Sequence, residues 1–302
     1  MPATQLPSGD EIFIDHVGHF VPDIAAAEEA LKRCGFLTTP FSAQSTPSGP
    51  DGAMEPTGTG NVCVMLEAGY LEFLVRTADT PIGRELEASL ARWSGVHLAA
   101  FAVADAEASH ARLAQTGFPM RPIVRMRRPV ETVAGASEAR FTVARTAAGA
   151  MPEGRIQMLT HHTEDAVWQR RWMRHPNGVT GLSSLLIVSD AVEEAGERFA
   201  RFFGREPKAA AGGLNFALPR GSLRICAPAD VELLVGAAPG LPWLAAYGLT
   251  VADVAATGDL LAAAGLKPVQ HGKAVIAALP PALGRGFWAF ARDARDLPWA
   301  SA

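Results

Sequence analysis

The sequence has only three cysteines and two tyrosines, no block of charge of one sign and no long apolar run. Its cysteines (Cys34, Cys63 and Cys226) are far apart and form no CxxC pair, which excludes a disulfide framework. We expect reduced, buried thiols in a cytoplasmic protein. The longest apolar runs, such as residues 182–188 and 274–279, are far shorter than the roughly 18 residues of a spanning helix, so no membrane association is expected.

The charge balance argues against nucleic acid as a partner. The 302 residues carry 27 Lys and Arg against 31 Asp and Glu, a net charge of −4. With 48% hydrophobic residues, the chain can bury a sizeable core, and its length indicates roughly two domains. Residues 1–11 are polar and contain Pro2 and Pro7, which predicts a flexible tail. No Walker loop, no GxGxxG after a strand and no Ser-His-Asp spacing supports a nucleotide-binding or hydrolase function.

One pattern occurs four times: an apolar strand, Val-x-Asp, an alanine-rich stretch and a glycine. Its aspartates and glycines are, in order, Asp23 and Gly35, Asp105 and Gly117, Asp190 and Gly204, and Asp253 and Gly265. Each aspartate stands before a predicted helix, where its carboxylate can accept hydrogen bonds from free helical N–H groups. Each glycine follows about three turns later, where a left-handed residue commonly ends a helix. We interpret both sets as helix caps.

Strand-like segments follow each glycine, so each copy predicts one βαβββ module. A module alone cannot bury both its helix and its sheet, which favours pairing of modules. The sequence therefore predicts an α+β fold of four modules forming two paired half-barrel domains, residues 12–163 and 182–302, with a linker at 164–181. Residues 77–95 predict a connecting helix, and the Pro- and Gly-rich residues 38–60 predict an irregular loop of the kind that often covers binding sites.

Four segments (IDHVGHFVPD, GTGNVCVML, YLEFLVR and, less cleanly, VHLAAFAVAD) resemble the vicinal oxygen chelate superfamily, and more narrowly its glyoxalase-like domain proteins. In that superfamily, paired modules form a half-open barrel around a divalent metal, which substrates chelate through two adjacent oxygens. Its members include isomerases, lyases, epimerases, ring-cleaving dioxygenases and non-catalytic drug-binding proteins. The resemblance implies one such site in the first half of this chain.

The resemblance implies His16 and Glu72 as the first-strand and last-strand metal ligands of the first module, and Gln157 as the last-strand ligand of the second. The fourth position falls on Leu98, and His97 reaches it only if a one-residue bulge shifts the strand. Histidine, carboxylate and amide donors from separate strands suit zinc, iron, manganese, nickel or cobalt and do not choose among them. If the metal is absent, His16 and Glu72 form a satisfied polar pair inside the barrel.

Further candidates are Glu72 and His161 as catalytic groups. Strand parity puts His161 on the same face as Gln157, and an exposed strand end is the alternative for both His161 and His162. His162 is also a candidate for substrate binding.

Asn61, Arg125 and Arg127 are the remaining substrate-binding candidates. Arginine can bind a carboxylate or phosphate with two parallel hydrogen bonds. A solvated basic strand edge is the alternative for Arg125 and Arg127, and a turn is the alternative for Asn61.

The second half lacks the ligand types. Ser183 and Ala246 correspond to His16, and the positions that correspond to Glu72 fall near Arg224 or Ile225 and near Trp288. We therefore expect at most one metal ion per chain.

The expected function is a metal-dependent lyase, isomerase or dioxygenase acting on a small molecule with vicinal oxygens, in a monomer or homodimer. The alternative is a non-catalytic small-molecule-binding protein of the bleomycin-resistance type. A third possibility is a structural relative whose pocket is a relic. Fold resemblance alone does not choose among them.

Overall fold

The computed structural model describes residues 4–48 and 53–300, which form an α+β fold on two eight-stranded sheets. The strands of the first sheet are β1 (Ile12–Phe20), β2 (Ser42–Ser48), β3 (Ala53–Met65), β4 (Tyr70–Arg76), β5 (Gly95–Val103), β6 (Val124–Thr132), β7 (Gly135–Arg145) and β8 (Arg155–His161). The helices of this half are α1 (Ile24–Arg33), α2 (Pro81–Leu90) and α3 (Ala106–Gln115). The predicted connecting helix within residues 77–95 is thus confirmed as α2.

A short helix, α4 (Glu164–Val167), and a turn of 3₁₀ helix (Arg170–Trp172) lead to the second sheet. Its strands are β9 (Val179–Val188), β10 (Lys208–Ala210), β11 (Gly213–Ala217), β12 (Ser222–Cys226), β13 (Trp243–Val251), β14 (Val269–His271), β15 (Ala274–Ala278) and β16 (Phe287–Ala291). Its helices are α5 (Val192–Phe203), α6 (Pro228–Val235) and α7 (Val254–Ala263), followed by 3₁₀ turns at Pro281–Leu283 and Ala294–Asp296.

The two sheets have the same strand order, β2-β3-β4-β1-β5-β8-β7-β6 and β10-β11-β12-β9-β13-β16-β15-β14. In each, the first strands of two modules pair antiparallel at the centre, and the last strand of each module pairs parallel with its first. The predicted α+β fold of paired βαβββ modules is confirmed.

Three of the four predicted N-caps are confirmed. The carboxylates of Asp23, Asp105 and Asp253 accept hydrogen bonds from N–H groups in the first turns of α1, α3 and α7. The prediction for Asp190 is wrong, because α5 begins one residue later, after Ala191, and the Ala191 N–H donates to the hydroxyl of Ser189. The four predicted glycines all have positive φ, from 64° at Gly204 to 87° at Gly117 and Gly265.

Two local predictions need correction. Residues 38–60 contain a hairpin, since β2 pairs antiparallel with β3; residues 49–52 lie outside the described part of the chain. Pro47 is tolerated there because β2 is an edge strand.

Residues 1–3 of the predicted flexible tail also lie outside the described part of the chain. Gln5, however, is buried, and its side-chain amide donates to the Glu67 carbonyl at 2.6 Å and accepts from the Gly69 N–H at 3.1 Å.

The two halves share one continuous core, which includes buried side chains of α1, α3, α5 and α7. Polar contacts also join them. The His19 Nε2 atom lies 2.8 Å from the Tyr247 hydroxyl, and Arg112 donates to the Phe202 carbonyl at the end of α5. All three cysteines are free and buried, as predicted. None of the helices in the described residues is both long and apolar enough to span a membrane.

Candidate functional site

One face of the first sheet borders a cavity of about 80 Å³. Five of the residues predicted from the sequence line it: His16, Asn61, Glu72, Arg127 and Gln157. The strand register explains this convergence. His16 on β1 pairs with Tyr70 on β4 and with Ala100 on β5; Ala100 pairs with Gln157 on β8, which pairs with Arg145 on β7. Directly paired residues point to the same face of a sheet, so this row of side chains faces the cavity.

A neighbouring row lies on the same face. It runs from Cys63 through Glu72 and Gly18 to Leu98 and Arg155. Gly18 stands between Glu72 and Leu98, and a Cβ atom there would lie 2.9 Å from the Leu98 Cβ atom. The glycine lets β1 and β5 pack closely without a side chain between Glu72 and Leu98. The floor of the site is therefore built from small residues, Gly18 and Ala100, with polar groups on either side.

Asp15 holds the His16 ring. The register of β1 shifts between Ile14 and His16, so Asp15 sits in a bulge. One carboxylate oxygen lies 2.6 Å from His16 Nδ1, and the other lies 2.8 Å from Nε2 of His161. Burial would raise the pKa of Asp15, but attraction to His161 and hydrogen bonds from both histidines bring it well below its usual range. Asp15 is therefore ionised, and it directs Nε2 of His16 toward the cavity.

Glu72 faces His16 across the cavity floor. Its Oε2 atom lies 3.7 Å from His16 Nε2. Its Oε1 atom accepts hydrogen bonds from the amides of Gln44, at 3.1 Å, and Asn61. The Asn61 Oδ1 atom is buried and has no hydrogen-bond partner in the described residues. An unpartnered buried acceptor beside a carboxylate is costly unless a cation or donor fills the site.

These groups fit a divalent metal ion. His16 Nε2 and Glu72 Oε2 lie 3.7 Å apart and are nitrogen and oxygen donors of the kind that would hold such an ion. A metal-binding histidine commonly has its other nitrogen held by a carboxylate, as Asp15 holds His16. Within residues 4–48 and 53–300, no three His, Cys, Asp or Glu side chains are grouped to hold a metal. Among the lining residues, Asn61 and Gln157 offer amide oxygens that could be a third ligand.

Gln157 lies in the cavity but already has a partner. Its Oε1 atom accepts a hydrogen bond from Nε of Arg145 at 3.2 Å. A carbonyl oxygen has two lone pairs, so this contact leaves one available.

His97 does not face the cavity, which corrects the expectation that it could be a ligand. A bulge does occur in β5, since Gly18 pairs with Leu98 and His19 with Val96, but His97 is itself the extra residue. Its Nε2 atom lies 2.7 Å from the Trp93 carbonyl, and its ring stacks on Phe20. Burial lowers the pKa of His97 to about 4. Leu98 lines the cavity in its place.

Three other predicted residues also lie outside the cavity. His161 is buried behind His16, where its ring packs nearly perpendicular to the rings of Phe141 and Trp168, and its contact with Asp15 links it to His16. His162 is exposed and lies 2.8 Å from the Thr142 hydroxyl. Arg125 is exposed and pairs with Glu107 at 2.7 Å. None of the three lines this cavity; Arg125 and His162 instead border a neighbouring surface cavity, and the roles predicted for all three residues stay predictions.

Sequence reasoning missed several groups at the site. Asp15 directly precedes His16, but strand alternation hides its role because only the bulge turns it toward the same histidine. Gln44 was hidden in the presumed loop. Arg145 and Arg155 lie on strands that were identified, and their register with Gln157 and Leu98 is the signal that could have found them.

Two uncharged side chains, Cys63 and Tyr70, also line the cavity near Glu72. Burial, together with the Glu72 charge, raises the pKa of the Cys63 thiol to about 12, so the thiol is protonated. The Tyr70 ring stacks on His16 with centroids 4.3 Å apart, and burial raises the pKa of its phenol well above its ordinary value. Neither group is a nucleophile at neutral pH.

The second sheet carries no corresponding donors. Ser184 rather than Ser183 matches His16 by register, because it pairs with Ser222 at the start of β12 as His16 pairs with Tyr70 at the start of β4. Its hydroxyl accepts a hydrogen bond from the Trp299 indole at 2.9 Å. Arg224, which matches Glu72, donates to the Ala211 carbonyl.

Comparisons with known proteins agree with this architecture. A family model described as a glyoxalase-like domain matches residues 14–203. A search of curated proteins finds no match. Among solved structures, a hypothetical protein from Staphylococcus aureus is similar over 92% of this chain and 98% of its own, with a TM-score of 0.61 and 10% identity.

Two further structures belong to enzymes. A mutant of 4-hydroxymandelate synthase from Streptomyces coelicolor has a TM-score of 0.56 at 14% identity, with 93% of this chain and 92% of that chain covered. A Mn(II)-bound glyoxalase from Novosphingobium aromaticivorans has a TM-score of 0.52 at 14% identity, with 92% and 81% covered. Likeness at such identities shows a shared fold.

Proposed function

Because the chain belongs to the glyoxalase-like domain family, we propose that its first half is a metal-dependent enzyme acting on a small molecule that binds the metal through vicinal oxygens. His16 and Glu72 would hold one divalent ion, and the amide oxygen of Gln157 or Asn61 would be a third ligand. The reaction class is a lyase, isomerase or dioxygenase step. The donor set suits zinc, iron, manganese, nickel or cobalt.

The observation that carries this proposal is the line of contacts from Asp15 through His16 to Glu72. Asp15 fixes the tautomer and orientation of His16, and the 3.7 Å gap between His16 Nε2 and Glu72 Oε2 is suited to a shared ion. A chain without such a function would have little need to bury Asp15 and Glu72 on either side of one imidazole, because burying charge is costly.

The chain's own residues would prepare the site for chemistry. Asp15 and His161 hold His16 in place, and Gln44 and Asn61 hold Glu72. Apolar side chains such as Leu98 exclude water from the reacting end of a substrate. When bound, the metal would act as a Lewis acid toward substrate oxygens. The Glu72 carboxylate is also the group placed to accept a proton from the substrate.

A second candidate function is binding without chemistry, as proposed from the sequence. Two observations favour it: Leu98 occupies the fourth ligand position, and Gln157 is engaged by Arg145. A protein of this kind would use the same cavity without a metal.

Metal content separates the two functions. Purified protein is incubated with each of the five metals in turn, desalted, and assayed by elemental analysis beside Glu72→Gln. We expect about one equivalent of one metal in the wild-type chain and its loss in the variant, since an amide replaces the carboxylate ligand. Glu107→Gln, on the exposed face of α3, is the matched control and should keep the metal.

Binding of the metal to wild type should also raise the unfolding temperature, and the rise should grow with the free metal concentration; this effect should be absent from Glu72→Gln. Stoichiometric metal in Glu72→Gln would refute the ligand assignment. No metal in wild type under any of the conditions would instead favour the binding protein.

A further inference from the structure

The cavity is unusually rich in arginine. Four arginines are among its lining residues, namely Arg127, which is largely exposed, and Arg128, Arg145 and Arg155, and we call these four residues the arginine wall. Glu72 is the sole carboxylate among the lining residues. The arginine wall therefore gives the cavity a net positive charge, which attracts an anion.

The partners of these arginines leave that charge largely uncompensated. Arg155 lies 3.7 Å from Glu85, a carboxylate that is already paired with Arg121 at 2.8 Å. In the described part of the chain, no carboxylate lies within 4.0 Å of Arg127, Arg128 or Arg145. Arg145 donates only to neutral groups, the Gln157 amide oxygen and the Met126 sulfur.

Arg145 is held in place by these neutral contacts. Its Nε is fixed on Gln157 and its Nη2 contacts the Met126 sulfur at 3.7 Å, which leaves Nη1 and the second hydrogen of Nη2 to reach a ligand. An arginine side chain stays protonated in proteins, so Arg145 is positive at neutral pH. A charged guanidinium in the protein interior is favourable when an anion completes its hydrogen bonds.

The row of paired residues places Arg145 opposite the proposed metal site. Between His16 and Gln157 stands Ala100, whose methyl group leaves room for a ligand to lie across β5. We propose that the cavity binds a small organic acid whose carboxylate pairs with Arg145, while its vicinal oxygens lie at His16 and Glu72. The placement of the vicinal oxygens at His16 and Glu72 rests on the proposed function; the contact between the carboxylate and Arg145 does not. A carboxylate can accept two parallel hydrogen bonds from a guanidinium.

Binding of simple acids tests the carboxylate contact. Acetate, pyruvate and benzoate are titrated by calorimetry into metal-free wild-type protein, beside acetamide, pyruvamide and benzamide, which have nearly the same shape without the charge. We expect at least one acid to bind about tenfold or more tightly than its amide, the usual size of a charge-assisted hydrogen bond. Arg145→Gln should lose this preference, and Arg145→Lys should recover part of it. Arg125→Gln, on the outer face, should bind like wild type.

The outcomes separate this inference from the proposed function. Arg145→Gln should bind metal at least as well as wild type, since it removes a positive charge from the neighbourhood of a cation. Equal affinity for acids and amides in the wild type would overturn the inference, whatever the metal content, and this comparison needs no variant. Acid affinity unchanged in Arg145→Gln would overturn it as well. If inorganic phosphate binds more tightly than all three acids, the carboxylate assignment is overturned and the site prefers a phosphate group.

Discussion

The two halves of this chain have the same strand order but fill their interiors differently. In the first, Gly18 and Ala100, from two neighbouring rows of paired residues, form the floor at the centre of the sheet, and a cavity remains above them. In the second, the corresponding space is filled by Leu297 and Trp299, which follow the last strand. The Leu297 Cδ1 atom lies 2.4 Å from where a Cβ atom of Gly248 would be.

This difference shows that a pair of modules can enclose either a cavity with polar groups or a closely packed apolar core. Trp243, Leu297 and Trp299 belong to an apolar cluster of the second half, which Trp93 from the first half also joins. Dense apolar packing stabilises, whereas a cavity lined with charged groups does not. We infer that the second half stabilises the chain and that the first half can therefore tolerate buried charges such as Asp15.

The largest expected effect comes from removing a large side chain of the second half. Trp243 is only 1% exposed, so Trp243→Ala should lower the free energy of unfolding by about 3–5 kcal/mol. Leu98→Ala, which enlarges an existing cavity in the first half, should cost about 2 kcal/mol. Denaturant unfolding measures both. A smaller loss for Trp243→Ala than for Leu98→Ala would contradict the division into a packed half and a half with a site.

An intermediate change in the free energy of unfolding is expected for His19, which lies where the two halves meet. Burial lowers the pKa of His19 to about 4. An unfolded histidine titrates near pH 6.5, so the unfolded chain binds more protons between these values, and stability falls as the pH is lowered. From pH 7 to pH 5, His19 alone should remove about 2 kcal/mol of unfolding free energy.

His19→Gln keeps an amide near Tyr247 but does not titrate. Its loss of stability between pH 7 and pH 5 should be smaller than that of wild type by about 2 kcal/mol, with the exposed His162→Gln as control. Equal pH dependence in His19→Gln and wild type would show that His19 is not a neutral link between the halves.

The smallest effect concerns the repeated caps. The Asp105 carboxylate accepts from the N–H groups of Glu107 and Ala108, so Asp105→Ala should cost about 1 kcal/mol. Asp190→Ala should change the unfolding free energy by less than about 0.5 kcal/mol, because Ser189 makes the corresponding contact. A similar loss in the two variants would mean that Asp190 caps α5 in solution.

The repeat made the fold predictable from the sequence. Val-x-Asp before a helix and glycine after it recur because caps and left-handed turns are local requirements, independent of distant contacts. His16, Glu72 and Gln157 could be found because each has a fixed place in its module. The hairpin β2–β3 could not, since its pairing is decided by the sheet edge it joins and its composition is typical of a loop.

The β-bulges are the reason why the sequence alone could not predict which side chains face the cavity. The extra residue at Asp15 and the one at His97 each reverse which side chains face the cavity, and nothing local to either strand marks them. Two members of the arginine wall were similarly hidden, because Arg145 and Arg155 come together only through pairing across β5, β7 and β8.

The core shared by the two halves also determines how the protein responds to dilution. Because the halves are joined by the short connection that contains α4, each is held beside the other at an effective concentration set by that tether. Dilution therefore cannot separate the cavity-bearing half from its support. Working at nanomolar enzyme should leave the geometry around His16 intact.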